Sequence, residues 1–179
     1  MKTKNTERHQ VDLTKEVVAS FPNGGRVVVY NAIDRTTEDF HRILSCAKYF
    51  ARQGKQVVMP PKMDVPYKNP AYDQIYASLR GTPYYGKCPD MLIDEHGYEH
   101  EGYVTDSHKH ALKNMLKHGL AQSDRIIIDK TNLTDNYIKA RIKGKIDEGC
   151  FRKRLYRMSG TSLTSQKPTA NSQNSSVIV

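Results

Sequence analysis

The run Ile126-Ile127-Ile128, inside DRIIID (124–129), most constrains what this chain can fold into. A short stretch continuous in isoleucine reads as a buried strand. The segment before it, SHKHALKNMLKHGLAQ (107–122), sets Leu112, Met115, Leu116 and Leu120 on one face of a helix. The segment after it, TDNYIKARIKGKIDEG (134–149), repeats isoleucine at 138, 142 and 146 behind a capping Thr134. Helices alternating with an apolar strand specify an α/β architecture.

The alternation extends upstream. GGRVVVYNA (24–32) reads as a strand after a Gly-Gly turn. TTEDFHRILSCAKYFARQG (36–54) reads as a helix capped by Thr36 or Thr37 and stopped by Gly54, with Phe40, Ile43, Leu44, Ala47 and Phe50 as its apolar stripe. KQVVMPP (55–61) is a short strand ended by two prolines. NPAYDQIYASLRG (69–81) is a short helix or irregular segment, PDMLID and YEHEGYV form a hairpin, and FRKRLYRM (151–158) reads as a last strand. The expected fold is one α/β domain over residues 21–158, with a central mixed sheet flanked by helices. Residues 1–20 form a polar leader, and the Ser-, Thr-, Asn- and Gln-rich residues 159–179 form a disordered tail.

Lysine and arginine number 28 against 19 acids, a formal charge of +9 that favours polyanionic partners. Three widely spaced cysteines without a CxxC argue for reduced thiols and a cytoplasmic setting rather than a disulfide framework. MKTKNTERHQ has no signal-peptide character, and no apolar run approaches the ~20 residues that cross a bilayer, so no membrane partner is expected. Gly24-Gly25 lacks GxxxxGK and precedes a strand, so it is not a phosphate loop.

Against this basic background CPDMLIDEHGYEHEGY (88–103) gathers Asp90, Asp94, Glu99 and Glu101. Two hairpin registers are open. A two-residue turn at His96-Gly97 puts the four acids on one face and Met91, Ile93 and Tyr98 on the other. A three-residue loop over Glu95, His96 and Gly97 turns Glu99 and Glu101 toward the core, where unpaired carboxylates cost several kcal/mol each. The first register is favoured. Its facing acids repel unless a divalent cation, an incoming lysine or arginine, or a raised pKa relieves them. An ordinary solvated face answered by surface lysines is the plain alternative.

The stretches FARQGKQVVMPP, GKCPDMLIDEHGYEHEG, LAQSDRIIIDK and IKARIKGKI followed by RLYRM, in that order over residues 36–158, resemble the C-terminal nuclease domain of contact-dependent growth inhibition and related polymorphic toxins. The resemblance implies phosphodiester cleavage, usually of tRNA, and a cognate immunity protein as partner. Two fold templates follow from it. In the PD-(D/E)xK template, with element order α-β-β-β-α-β, Asp90, Glu99 and, as an auxiliary, Glu101 would hold Mg²⁺ or Mn²⁺. In the barnase/EndoU/colicin/RelE template cleavage needs no metal, and His100 or His108 would act as acid or base. Lys130, Thr131 and Arg141 would meet the phosphate. The basic run from Lys139 to Arg157, including Lys145, suits an RNA backbone. Glu101 stands where the motif has lysine, and a glutamate cannot neutralise charge building on a scissile phosphate. The alternative function is therefore a catalytically impaired nucleic-acid- or protein-binding module of a mobile element or phage. Zinc is disfavoured, because the five histidines from 96 to 118 include no HExxH.

Overall fold

The computed structural model describes residues 11–102, 111–130, 135–147 and 175–178. The α/β class expected from the sequence is observed. The chain divides into two compact units, residues 1–97 and 98–179.

The first unit is built on four strands in the order β1 (Lys15–Ser20), β2 (Arg26–Tyr30), β3 (Gln56–Met59), β4 (Met91–Ile93). β1 runs antiparallel to β2, β2 parallel to β3, and β3 antiparallel to β4. The parallel step is made by α1 (Glu38–Arg52). Thr37 accepts the Phe40 N–H at 3.2 Å to cap it, with Glu38 and Asp39 in the first turn and Arg52 in the last, each suited to the helix dipole. Strand alternation gives the sheet two apolar faces. Val27, Val57 and Ile93 form one cross-strand row, and Val28, Val58 and Leu92 form the next. The segment 66–88 covers the second face. It contains the single-turn helix α2 (Tyr72–Ile75) and two 3₁₀ turns, and it packs Tyr72, Ile75, Tyr76 and Leu79 with Tyr30 and Leu92. The irregular segment expected over 69–81 is therefore a second layer of core.

In the second unit, β5 (His96–Glu101), which begins at the boundary, runs parallel to β6 (Ile126–Lys130). The crossover is α3 (Ala111–Gln122), and α4 (Asp135–Asp147) packs on α3. Leu112, Met115, Leu116, Ile126, Ile128, Ile138 and Ile142 make one cluster, the stripe and the isoleucine run anticipated from sequence.

Three expectations are corrected. The polar leader expected over residues 1–20 includes an edge strand, β1 over Lys15–Ser20, whose Val18 and Ala19 are half-buried while Val17 is exposed. The tail is not wholly without order: Ser175–Ile178 forms β7, antiparallel to β6, pairing Ile178 with Ile127 and Ser175 with Lys130. The hairpin turn is neither of the two considered. Asp94 and Glu95 link β4 to β5 at φ 47° and 70°. Two successive left-handed residues are the requirement of a type I′ turn, and aspartate tolerates that region better than most residues. Gly97 lies within β5 instead, where a Cβ would come within 3.0 Å of the Pro89 ring. The last strand expected over 151–158 lies outside the described residues.

Candidate functional site

The acids of 88–103 divide by environment. Asp94 is structural. Its carboxylate accepts from Lys55 Nζ at 2.8 Å and from the Gln56 N–H at 3.0 Å, while its own N–H donates to the Gln56 carbonyl. The Lys55 hydrogen bond, helped by the Gln56 N–H, holds its carboxyl below the usual aspartate range. Asp90 precedes β4 and pairs with Lys62 at 2.9 Å, its side chain only 11 % exposed.

Glu99 sits in β5 beside Ile126 of β6, and its N–H donates to the Arg125 carbonyl at 2.9 Å. It is 9 % exposed, a buried acid in the described core. Glu101 lies beside Ile128. Because neighbours across a parallel ladder share a face, the two glutamates belong to the row of Ile126 and Ile128, which carries the α3–α4 core. The favoured register puts them on a polar face opposite the apolar residues. In β5 that face is the one beside Ile126 and Ile128, so Glu99 is buried among apolar residues and occupies a place where an aliphatic residue would be easier to bury.

His100 alternates to the other face, beside Ile127, and is half-buried. Tyr98 shares that face, with the Arg125 guanidinium 5.6 Å from its ring centroid. The turn from α3 into β6 is fixed by Ser123, which is buried and whose Oγ accepts the Arg125 N–H at 3.1 Å.

Lys130 is the last residue of β6, two beyond Ile128. Since β5 and β6 are parallel, Glu101 and Lys130 both come at the carboxyl ends of their strands, where α/β sheets place ligands. Arg141 is exposed on α4, off the buried Ile138–Ile142 stripe as expected, with its guanidinium 5.3 Å from the Tyr137 ring centroid. Lys145 lies on α4, one turn further along. Thr131, His108 and Arg157 lie outside the described residues.

The structure thus groups Glu99, Glu101 and Lys130 on one strand pair and leaves His100 on the opposite face. Among the described residues, no three of His, Cys, Asp and Glu gather as a ready-made metal site. Two carboxylates suit Mg²⁺ nonetheless, which keeps several waters and takes further oxygens from substrate phosphates. Among the described residues, no helix is long and apolar enough to cross a membrane. Sequence reasoning missed Lys62. Its only signal is that it follows the proline pair closing β3, and 28 positions separate it from Asp90 until β3 and β4 pair. In comparisons with known proteins, no family model, no curated protein and no solved structure matches the chain.

Proposed function

We propose that this chain is a nuclease-like domain that cleaves RNA phosphodiester bonds, with tRNA as the substrate class and a toxin-related role, as its motifs imply. The observation that carries the proposal is Glu99, an acid buried in the apolar row of a parallel strand pair. Such a residue costs stability and is retained where chemistry needs it. Apart from the single-turn α2 and the 3₁₀ turns between β3 and β4, the element order α1-β3-β4-β5-α3-β6 resembles the α-β-β-β-α-β order of the PD-(D/E)xK template. That order, with His100 turned away from the glutamates, favours the metal-dependent version over the metal-free one.

In this reading Glu99 and Glu101 hold a hydrated Mg²⁺ or Mn²⁺. The ion supplies Lewis-acid stabilisation of charge on the phosphate. Lys130, with Thr131 beyond it, binds the RNA backbone at the carboxyl end of β6. Arg141 adds a guanidinium for a phosphate, while Tyr137 beneath it offers a ring for a base. The +9 charge of the chain supports a polyanionic substrate. An immunity protein would be the partner that restrains such an activity.

The test is incubation of the purified protein with total tRNA, in Mg²⁺ or in EDTA, beside Glu99→Gln. Cleavage lost in EDTA and in the variant is the expected result. Cleavage that survives EDTA would move the chemistry to the metal-free template. No cleavage by a folded protein that still binds RNA with a steep salt dependence would identify the impaired binding module, with Glu101 as the reason.

A further inference from the structure

We infer that the solvent face of α3, with Lys113 and Lys117, is a contact surface for the phosphate backbone of RNA and holds it without reading bases. This rests on the nuclease reading above, and all of it lies in the second unit. The starting point is what the helix gives up. Its sequence, ALKNMLKHGLAQ, contains no acid, and none stands three or four residues from either lysine. Lys113 and Lys117 are themselves four residues apart, so like charges meet on one face and oppose the helix. Lys113 also lies in the first turn, where the helix dipole favours an acid.

α1 shows the opposite choice. Its first turn holds Glu38 and Asp39, and Glu38 pairs with Arg42 one turn on at 2.6 Å. Both helices cross between parallel strands. The same place in the scaffold is thus filled once with paired charges and once with cations alone. A local pattern that works against its own helix marks a functional surface, because a partner of opposite sign offsets the cost.

Burial defines the face. Leu112, Met115 and Leu116 are buried, while Lys113 and Lys117 are exposed. At Gly119 a Cβ would meet the Ile126 side chain at 2.9 Å, so this end of α3 lies against the first residue of β6. From there the helix runs back about 9 Å along its axis to Lys113. That direction is toward the carboxyl ends of β5 and β6, where Glu101 and Lys130 stand. α4 packs on α3 and adds exposed Arg141 and Lys143 to the same helical layer. Apart from the imidazole of His118 the exposed face of α3 has no ring on which a base could stack, unlike Tyr137 on α4. It therefore suits phosphates, which position a nucleic acid without specifying its sequence. An RNA held at the strand ends continues across α3.

The test is equilibrium binding of two short RNA hairpins of unrelated sequence to the full chain, in EDTA across a salt series. Cleavage of tRNA in Mg²⁺ is measured alongside. The variants are Lys113→Glu, Lys117→Gln and, as a control in the first unit, Lys68→Gln at an exposed lysine, each with its melting temperature. In Lys113→Glu the new acid pairs with Lys117 and suits the dipole, so the melting temperature is expected to rise while RNA affinity falls. A variant that is more stable yet binds less does not owe its loss to misfolding. Expected are a salt slope lower by about one in Lys117→Gln and by at least as much in Lys113→Glu, the same for both hairpins. The accompanying loss of cleavage is carried by KM, and Lys68→Gln keeps the wild-type slope. Unaltered slopes in both α3 variants overturn the inference. So does an equal fall in Lys68→Gln, which makes overall charge the cause, or a loss confined to one hairpin, which means that bases are read. If wild type binds RNA but cleaves nothing, the nuclease reading fails, and the slopes alone decide whether α3 holds RNA.

Discussion

The chain contains the same device twice. β2-α1-β3 and β5-α3-β6 are both parallel strand pairs joined by a crossover helix. Both bring helix and strand unusually close at a glycine. At Gly25 a Cβ would lie 1.8 Å from the Ala51 carbonyl oxygen, and at Gly119 it would lie 2.9 Å from the Ile126 side chain. They differ in what the first strand carries. RVVVY offers apolar residues to both faces and serves packing. HGYEHE offers glutamates to the face that the α3–α4 core occupies. One scaffold devotes its strand to stability, while the other gives up stability at the position that we assign to chemistry.

The glycines break the comparison most sharply. At Gly25 the obstacle is backbone, which cannot rotate away, so Gly25→Ala is expected to cost at least about 3 kcal/mol, read as collapse of the denaturation midpoint. At Gly119 the obstacle is a flexible isoleucine, and alanine regains about 1 kcal/mol of helix propensity. Gly119→Ala is therefore expected to stay within about 1–2 kcal/mol of wild type. Equal losses would mean that the two crossovers are packed alike.

Glu99→Leu makes β5 resemble β2. Replacing a buried charge by an apolar side chain of similar volume is expected to raise stability by about 1 kcal/mol while abolishing cleavage. A loss of stability would show that Glu99 is a structural residue and remove the ground for the proposed activity. A smaller effect is expected at the turn. Glu95→Gly relieves a left-handed glutamate and should add about 0.5–1 kcal/mol, measured by urea denaturation.

The smallest effect concerns Asp94. Its folded-state pKa is depressed, so its contribution is present above the unfolded aspartate range and is lost as pH falls through the folded value. With both partners nearly half exposed the loss in Asp94→Asn is only about 0.5 kcal/mol. The melting temperatures of variant and wild type should differ at neutral pH and converge in acid.

Much of the framework is legible in the sequence because it is written in local periodicity. The Phe40–Ala47–Phe50 stripe, the Leu112–Leu116 stripe and the isoleucine run each appear where expected. The turn at 94–95 is not legible, because the glycine two positions later is the stronger turn signal. Gly97 is there to admit Pro89, a contact made only after the chain has folded. Lys62 is hidden for the same reason, since strand pairing, and no motif, brings it to Asp90. β1 is concealed in a polar segment because an edge strand with one face to solvent needs few apolar residues.

Asp94 carries a warning for anyone who maps this chain by saturation mutagenesis. Its backbone must accept a left-handed conformation and its carboxylate must satisfy both Lys55 and a main-chain N–H. Asparagine keeps the first and part of the second, glycine keeps only the first, and other side chains lose both. In a selection read by survival, such a position would show the narrow tolerance of a reactive acid, in the middle of an acidic hairpin. Only an assay that scores abundance apart from cleavage would separate it from Glu99.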